Sequence, residues 1–147
     1  MTRTMRAILI LSVLLAALPG APVARAEESA YKVVVNSGNP TASVSRDQLS
    51  ALFLKKAPWP NGQSVQPIDL AEDSPVRRAF TSAVHGRPVG AVKAYWQQKV
   101  FSGRDVPPPE KTTDAAVLAF VEANPGAIGY VSAAAPIGRG IKEVTVN

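Results

Sequence analysis

The residues best suited to bind an anion lie at the start of a predicted helix, in the segment Ser74-Pro75-Val76-Arg77. Ser74 has the side chain of an N-terminal helix cap, and proline is typical of the first helical position. A helix N-terminus offers unpaired backbone N–H groups and a partial positive charge, to which Arg77 would add a full charge. This pattern predicts that Ser74 and Arg77 bind a small oxyanion.

A purely structural role fits the same segment. Ser74 would then be only a cap, Asp73 would supply the negative charge that favours a helix start, and Arg77 would be a surface residue. Glu72 and Asp73 would also repel an incoming anion. If the site binds, a helix-dipole contribution of about 0.3–1 kcal/mol and charge-assisted hydrogen bonds of roughly 1.5–3 kcal/mol each predict an affinity on the order of millimolar for a monomer.

Ser37 and Asn39 are a second pair of candidate ligand-binding residues. They follow the first predicted strand, and α/β sheets usually bind ligands at the carboxyl ends of their strands. The same residues are typical turn formers, which need no ligand. Separately, Trp59, Tyr95 and Trp96 could form an aromatic contact surface, although the spacing of Trp96 favours a place in the core.

No catalytic or metal-binding constellation is predicted. The chain has one histidine and no cysteine, so a thiolate or histidine-rich metal site is excluded. His85 lies at a predicted helix end, where a favourable interaction with the helix dipole explains it. Asp69, Glu72 and Asp73 cluster, but as a loop before a helix rather than a catalytic carboxylate pair. There is no Gly-x-Ser-x-Gly motif. We therefore predict a non-enzymatic protein without cofactor.

The N-terminus has the pattern of a secretory signal peptide over residues 1–26. Arg3 and Arg6 precede an apolar stretch, and Ala24-Arg25-Ala26 is a small-x-small cleavage site without a lipid-anchor cysteine. Cleavage would leave one domain, residues 27–147, in the periplasm or outside the cell. Three of the sixteen basic residues would leave with the signal, so the net charge would fall from +5 to +2. Nucleic-acid binding is therefore not predicted.

The predicted elements follow the order β-α-β-α-α-α-β-β, which is typical of an α/β layer fold with some parallel pairing. The predicted strands are residues 31–36, 65–70, 128–131 and 141–146. The first helix begins at a capping box, Ser45 with Gln48, and is expected to end at Pro58. The other three helices begin at Ser74, Pro88 and Thr113 or Asp114, and an extended loop is predicted over residues 104–112.

The order and spacing of several strings resemble the phosphate-type substrate-binding proteins of bacterial ABC transporters, a branch of the type 2 periplasmic-binding-protein fold. The likeness covers nearly all of residues 31–147. The matching strings are residues 33–40, the segment from Ser45 to Lys56, Trp59-Pro60-Asn61-Gly62, Ser74 with Arg77 and Phe80, Trp96, and Gly126-Ala127-Ile128-Gly129-Tyr130-Val131. The resemblance implies one lobe of that fold, with a mixed sheet flanked by helices.

The resemblance also implies a function, although this sequence departs from the family pattern in two ways. The family holds its ligand between two lobes, and only a second lobe is matched here. Its anion-gripping Gly-Ser-Gly-Thr segment corresponds to Ser74-Pro75-Val76, and Leu70 stands where an arginine is usual. The implied function is weak binding of an oxyanion such as phosphate, with an ABC transporter or a second copy of the chain as partner. The alternative is an envelope protein-interaction module with a decayed ligand site.

Overall fold

The computed structural model describes residues 29–147, so the predicted signal peptide, residues 1–26, lies outside the described residues. Among the described residues, no helix has the length and apolar character needed to span a membrane. The elements in chain order are β1 (Tyr31–Asn36), β2 (Ser43–Val44), α1 (Arg46–Phe53), β3 (Gln66–Pro67), β4 (Asp69–Leu70), α2 (Pro75–His85), α3 (Val89–Phe101), β5 (Glu110–Lys111), α4 (Asp114–Ala123), β6 (Ala127–Ser132) and β7 (Ile141–Val146).

The strands form a mixed five-stranded sheet in the order β2-β7-β1-β6-β3 and a separate parallel pair, β4-β5. β1 lies between β6 and β7 and is antiparallel to both, whereas β2 is parallel to β7 and β3 is parallel to β6. The predicted α/β fold with a mixed sheet flanked by helices is confirmed. The three valines of β1, Val33, Val34 and Val35, are all buried, as the continuous apolar run predicts for a strand covered on both faces.

The helix starts follow the predicted chemistry. Ser45 and Gln48 form the capping box, Ser74 caps α2 and Thr113 caps α4. Gly86 ends α2 in the left-handed conformation that glycine adopts without strain. Helix α4 packs so closely on β6 that a Cβ atom at Gly129 would lie 2.8 Å from a methyl group of Val117.

Three boundary predictions are wrong. The first helix ends at Phe53 rather than at Pro58, and Lys55 already has a positive φ of 52°. The strand predicted over residues 65–70 is divided between two sheets. The backbone N–H of Ile68 donates to Ile128 of β6, but that of Asp69 donates to Pro109, so the chain changes partners between adjacent residues. The predicted loop over residues 104–112 contains β5, which supplies that second partner strand.

Candidate functional site

Ser74 lies at the N-terminus of α2 and acts as its cap. Its hydroxyl oxygen accepts a hydrogen bond from the backbone N–H of Arg77 at 3.3 Å, and Pro75 occupies the first helical position. The cap therefore uses the acceptor capacity of the Ser74 hydroxyl, while the hydroxyl proton is free to be donated. The predicted cap is therefore present, and anion binding at this helix start stays a prediction.

The Arg77 side chain points into the protein rather than to solvent. The residue is only 4% exposed. One of its terminal nitrogens donates to the carbonyl oxygen of Leu70 at 2.6 Å and to the Oε1 atom of Glu110 at 2.7 Å. The other lies 3.8 Å from the Oδ2 atom of Asp69. The guanidinium therefore connects α2 to both strands of the β4-β5 pair, and the interpretation of Arg77 as a surface residue is wrong.

Asp69 is a buried carboxyl held between Arg77 and Tyr130. The Tyr130 hydroxyl donates to the Oδ1 atom of Asp69 at 2.8 Å and accepts from the backbone N–H of Leu70 at 3.3 Å. Burial raises the pKa of Asp69 to about 6, although Arg77 and the Tyr130 hydroxyl act in the opposite direction. The three acidic residues predicted to share a loop are thus separated, because Asp69 is buried in β4 while Glu72 and Asp73 are exposed.

This raised pKa of Asp69 predicts a pH dependence of stability. Because the native-state pKa is about 6 and the ordinary value is 3.8, the native state binds the proton more tightly than the unfolded state. The contribution of this carboxyl to stability is therefore complete below pH 3.8 and is lost as the pH rises through 6. From about pH 4 to about pH 7, we expect the free energy of unfolding of the wild type to fall by about 2–3 kcal/mol relative to that of Asp69→Asn.

Urea denaturation of both proteins across that pH range measures this difference. The lowered pKa of His85 makes the free energy of unfolding rise with pH over part of this range, opposite to the effect of Asp69. Its contribution is common to both proteins and cancels in the comparison. Parallel stability profiles for the wild type and Asp69→Asn would contradict the assignment.

A groove of about 550 Å³ lies beside the N-terminus of α2. Two ion pairs line it: Arg77 with Glu110, and Lys93 of α3 with Glu72 at 3.2 Å. Its remaining lining is mostly apolar. It comes from α3 and from the three consecutive prolines before β5, and comprises Trp96, Gln97, Val100, Phe101 and Pro107. Phe101 is 97% exposed, which leaves a large apolar side chain in solvent at the edge of this groove.

Ser37 and Asn39 lie at the other end of the sheet. Asn39 is buried, and its Oδ1 atom accepts from the backbone N–H of Thr41 at 2.9 Å, as in an Asx turn. β1 is antiparallel to β6, so Ser37 follows β1 where β6 begins. The backbone N–H of Leu70, by contrast, donates to the hydroxyl of Tyr130, a residue further along β6. The structure therefore does not bring Ser37 and Asn39 together with Ser74 and Arg77, because the rule for parallel strand ends does not apply to an antiparallel pair.

His85 lies at the C-terminus of α2, and its Nδ1 atom is 2.8 Å from the Ser50 hydroxyl of α1. Burial, followed by the positive charges of Arg77, Lys56 and Arg87, lowers the pKa of His85 to about 4. The imidazole is therefore neutral at neutral pH. The helix-dipole explanation of His85 is wrong, because it requires a positively charged ring. Among residues 29–147, the one side-chain hydrogen bond of His85 is to Ser50, so no carboxylate in this part of the chain orients the ring as in a catalytic triad.

The aromatic residues singled out in the sequence do not form a common surface. Trp59 is buried and donates from its indole nitrogen to the carbonyl oxygen of Gly126 at 3.0 Å. Trp96 is also buried, as its spacing predicts. Tyr95 is half-buried, with the amino groups of Lys56 and Lys99 at 5.5 and 5.6 Å from its ring centroid. Tyr95 is thus the one of the three that remains at a surface.

Solved structures of transport proteins resemble this fold. An ABC-type phosphate transport receptor from Vibrio cholerae is 17% identical, with a TM-score of 0.62 over 80% of this chain and 46% of its own. A protein from Clostridium perfringens, described as a putative phosphate ABC transporter substrate-binding protein with bound phosphate, is 17% identical. Its TM-score is 0.64 over 80% of this chain and 44% of its own. The fold is that of one lobe of these proteins.

A third solved structure, described as a possible phosphate-binding protein from Planctomyces limnophilus, is 15% identical and has a TM-score of 0.58 over 80% of this chain and 41% of its own. This chain spans less than half the length of each of the three proteins. All three are named as receptors or binding proteins rather than as enzymes. No protein-family model and no curated protein matches the sequence. At these identities the likeness concerns the fold alone.

Sequence reasoning missed the partners of Arg77 in this lobe. The need of Asp69 for a partner could have been predicted, because a carboxylate between Ile68 and Leu70 in an apolar strand needs a cation or a hydrogen-bond donor when it is buried. The role of Glu110 could not, since Glu110 follows three prolines in a segment predicted to be a loop. Tyr130 lies within a buried strand, where its hydroxyl must find a partner.

Proposed function

We propose that the chain is an exported, non-enzymatic binding lobe of the solute-binding type. In this proposal Ser74 and Arg77, at the N-terminus of α2, make weak contacts with an oxyanion such as phosphate. The observation that carries the proposal is that Arg77 lines an open groove at the start of the helix that Ser74 caps, in a fold shared with phosphate-binding proteins. An ABC transporter component or a second copy of the chain would be the partner.

The charges around Arg77 limit the affinity. Glu110 accepts from its guanidinium at 2.7 Å and so occupies a position that an oxyanion would take. Asp69 lies behind the same group. An incoming anion must displace Glu110 or share the guanidinium with it, at a cost in like-charge repulsion. Binding on the order of millimolar is what the remaining contacts support.

Glu110→Gln tests this competition. Because the variant removes one negative charge next to Arg77, we expect phosphate to bind about tenfold more tightly than to the wild type. The readout is the rise of the thermal midpoint with phosphate concentration, since a ligand selective for the native state stabilises it by RT ln(1 + [L]/Kd).

Glu143→Gln is the matched control, because Glu143 is an exposed acid on β7 and its loss changes the net charge equally. It should leave the phosphate response unchanged. Equal responses of Glu110→Gln and Glu143→Gln would refute oxyanion binding at the start of α2.

A protein-interaction module is the second candidate function. The observation that favours it is the groove edge, where Val100 is 52% and Phe101 is 97% exposed. Contiguous exposed apolar side chains of this kind mark protein contacts in many soluble proteins. Glu110→Gln failing to respond to phosphate would favour this second candidate over the first.

A further inference from the structure

A second, smaller pocket lies at the opposite end of α2 from Ser74. It has a volume of about 110 Å³. It is enclosed by the C-terminal ends of α1 and α2 and by the first two turns of α3. Its lining is predominantly polar and comprises Ser50, Leu54, Lys56, His85, Arg87, Val92 and Tyr95. None of these residues is acidic.

The cations of this pocket have no carboxylate partners. The ion pairs among residues 29–147 join Lys55 to Asp105, Arg77 to Asp69 and Glu110, and Lys93 to Glu72, and neither Lys56 nor Arg87 takes part in one. Lys99 adds a further positive charge, because its amino group and that of Lys56 both lie within 6 Å of the Tyr95 ring centroid. Asp47 lies one helical turn before Ser50 on α1 but does not line the pocket.

The half-buried imidazole of His85 lies in the same positive potential. The charged groups that act on it are Arg77, Lys56 and Arg87, which all lower its pKa in addition to burial. A cluster of unpaired positive charges around a small polar cavity is relieved when an anion enters it.

The Ser50–His85 hydrogen bond also provides a donor for an anion. If the imidazole Nδ1–H donates to the Ser50 oxygen, the Ser50 hydroxyl proton is available to donate to an anion. If the Ser50 hydroxyl donates to Nδ1 instead, the N–H group at Nε2 is available. Either tautomer therefore leaves one neutral donor on this pair, and both residues line the pocket together with Lys56 and Arg87.

We propose that this pocket between α1, α2 and α3 binds a tetrahedral oxyanion, inorganic phosphate or sulfate or the terminal group of a phosphomonoester, through Lys56, Arg87 and the Ser50–His85 pair. The volume suits such a group, since it equals the liquid volume of about three to four water molecules. The organic part of a monoester would extend out of the opening. This proposal does not rest on oxyanion binding at Ser74 and Arg77, which lie at the other end of α2.

His85 makes the test direct, because it is the one histidine in the sequence. The ring signals of His85 in the untagged protein are followed by NMR while sodium phosphate is added at constant pH and ionic strength. We expect a saturable shift with a midpoint on the order of millimolar. In Lys56→Gln/Arg87→Gln the midpoint should rise by about tenfold or more, because two charge-assisted contacts are lost.

Arg139→Gln/Lys142→Gln is the matched control, since it removes the same net charge from the loop before β7 and from β7 itself, and it should keep the wild-type midpoint. Sulfate and glycerol 3-phosphate are titrated in the same way. Tighter binding of inorganic phosphate assigns the pocket to a free ion, and tighter binding of the ester assigns it to a phosphorylated compound. A shift that does not saturate, or one that is identical in Lys56→Gln/Arg87→Gln, overturns the proposal.

The two anion proposals fail separately. Glu110→Gln should change the thermal response to phosphate without moving the midpoint of the His85 titration. If the His85 signals do not shift with phosphate and Glu110→Gln binds phosphate tenfold more tightly, the pocket around His85 is not an anion site and the proposed function stands. A saturable His85 signal with no gain in Glu110→Gln would do the reverse.

Discussion

Replacing Arg77 with methionine is expected to lower the free energy of unfolding by about 3–5 kcal/mol. The side chain is buried and donates to the carbonyl oxygen of Leu70 and to the Glu110 carboxylate. Methionine has a similar volume but no donor, so the buried Asp69 carboxyl would lose the cation that offsets its desolvation. Removing one partner of a buried ion pair costs far more than removing an exposed pair.

Urea denaturation measures this effect, and Arg78→Met is the matched control. Arg78 is the next residue and is exposed, with one hydrogen bond to the carbonyl oxygen of Asp73. Its loss should cost about 1 kcal/mol or less. Adding Asp69→Asn to Arg77→Met should restore about 1–2 kcal/mol, because the unpaired buried charge is then gone. Equal losses in Arg77→Met and Arg78→Met would show that the network around Arg77 does not stabilise the lobe.

Phe80→Ala is the second substitution with a large expected effect, again about 3–5 kcal/mol of the free energy of unfolding. Phe80 is fully buried at 0% exposure. Its ring stacks on that of Tyr130 with 3.8 Å between centroids, and it also contacts the rings of Phe53, Tyr31 and His85. Alanine would leave a cavity between α2 and the sheet.

Phe101→Ala is the control for Phe80→Ala, because it removes the same atoms from a side chain that is 97% exposed. Its free energy of unfolding should change by about 0.5 kcal/mol or less. The Phe80 variant should also weaken anion binding in the pocket around His85, since the Phe80 ring borders His85. Similar stabilities of the two variants would contradict the placement of Phe80 at the centre of the core.

Local chemistry in the sequence predicted local structure well. The caps at Ser45, Ser74 and Thr113 depend on contacts within three residues, so their side chains alone specify them. The buried strand β1 is predictable for a similar reason, because its run of valines has only one stable environment. The resemblance to a solute-binding lobe then gave the fold class.

The environment of Arg77 could not be predicted in the same way. Its ion-pair partner Glu110 is 33 positions away and reaches it only because β5 pairs with β4. The pocket around His85 depends equally on long-range packing, since Ser50 is 35 positions from it. Such pairings between distant, short segments leave almost no periodicity in the sequence.

The position of β1 in the sheet has a consequence for how the lobe forms. β1 is the first strand of the described chain, and both of its neighbours, β6 and β7, are the last two. A loop of about a hundred residues must therefore close before the central strand gains a partner, and such non-local topologies fold slowly, over roughly milliseconds to seconds. A chain emerging from synthesis with its N-terminus first would expose the valines of β1 until its C-terminus follows. The central strand therefore gains its two partners only after nearly all of the described residues have been synthesised.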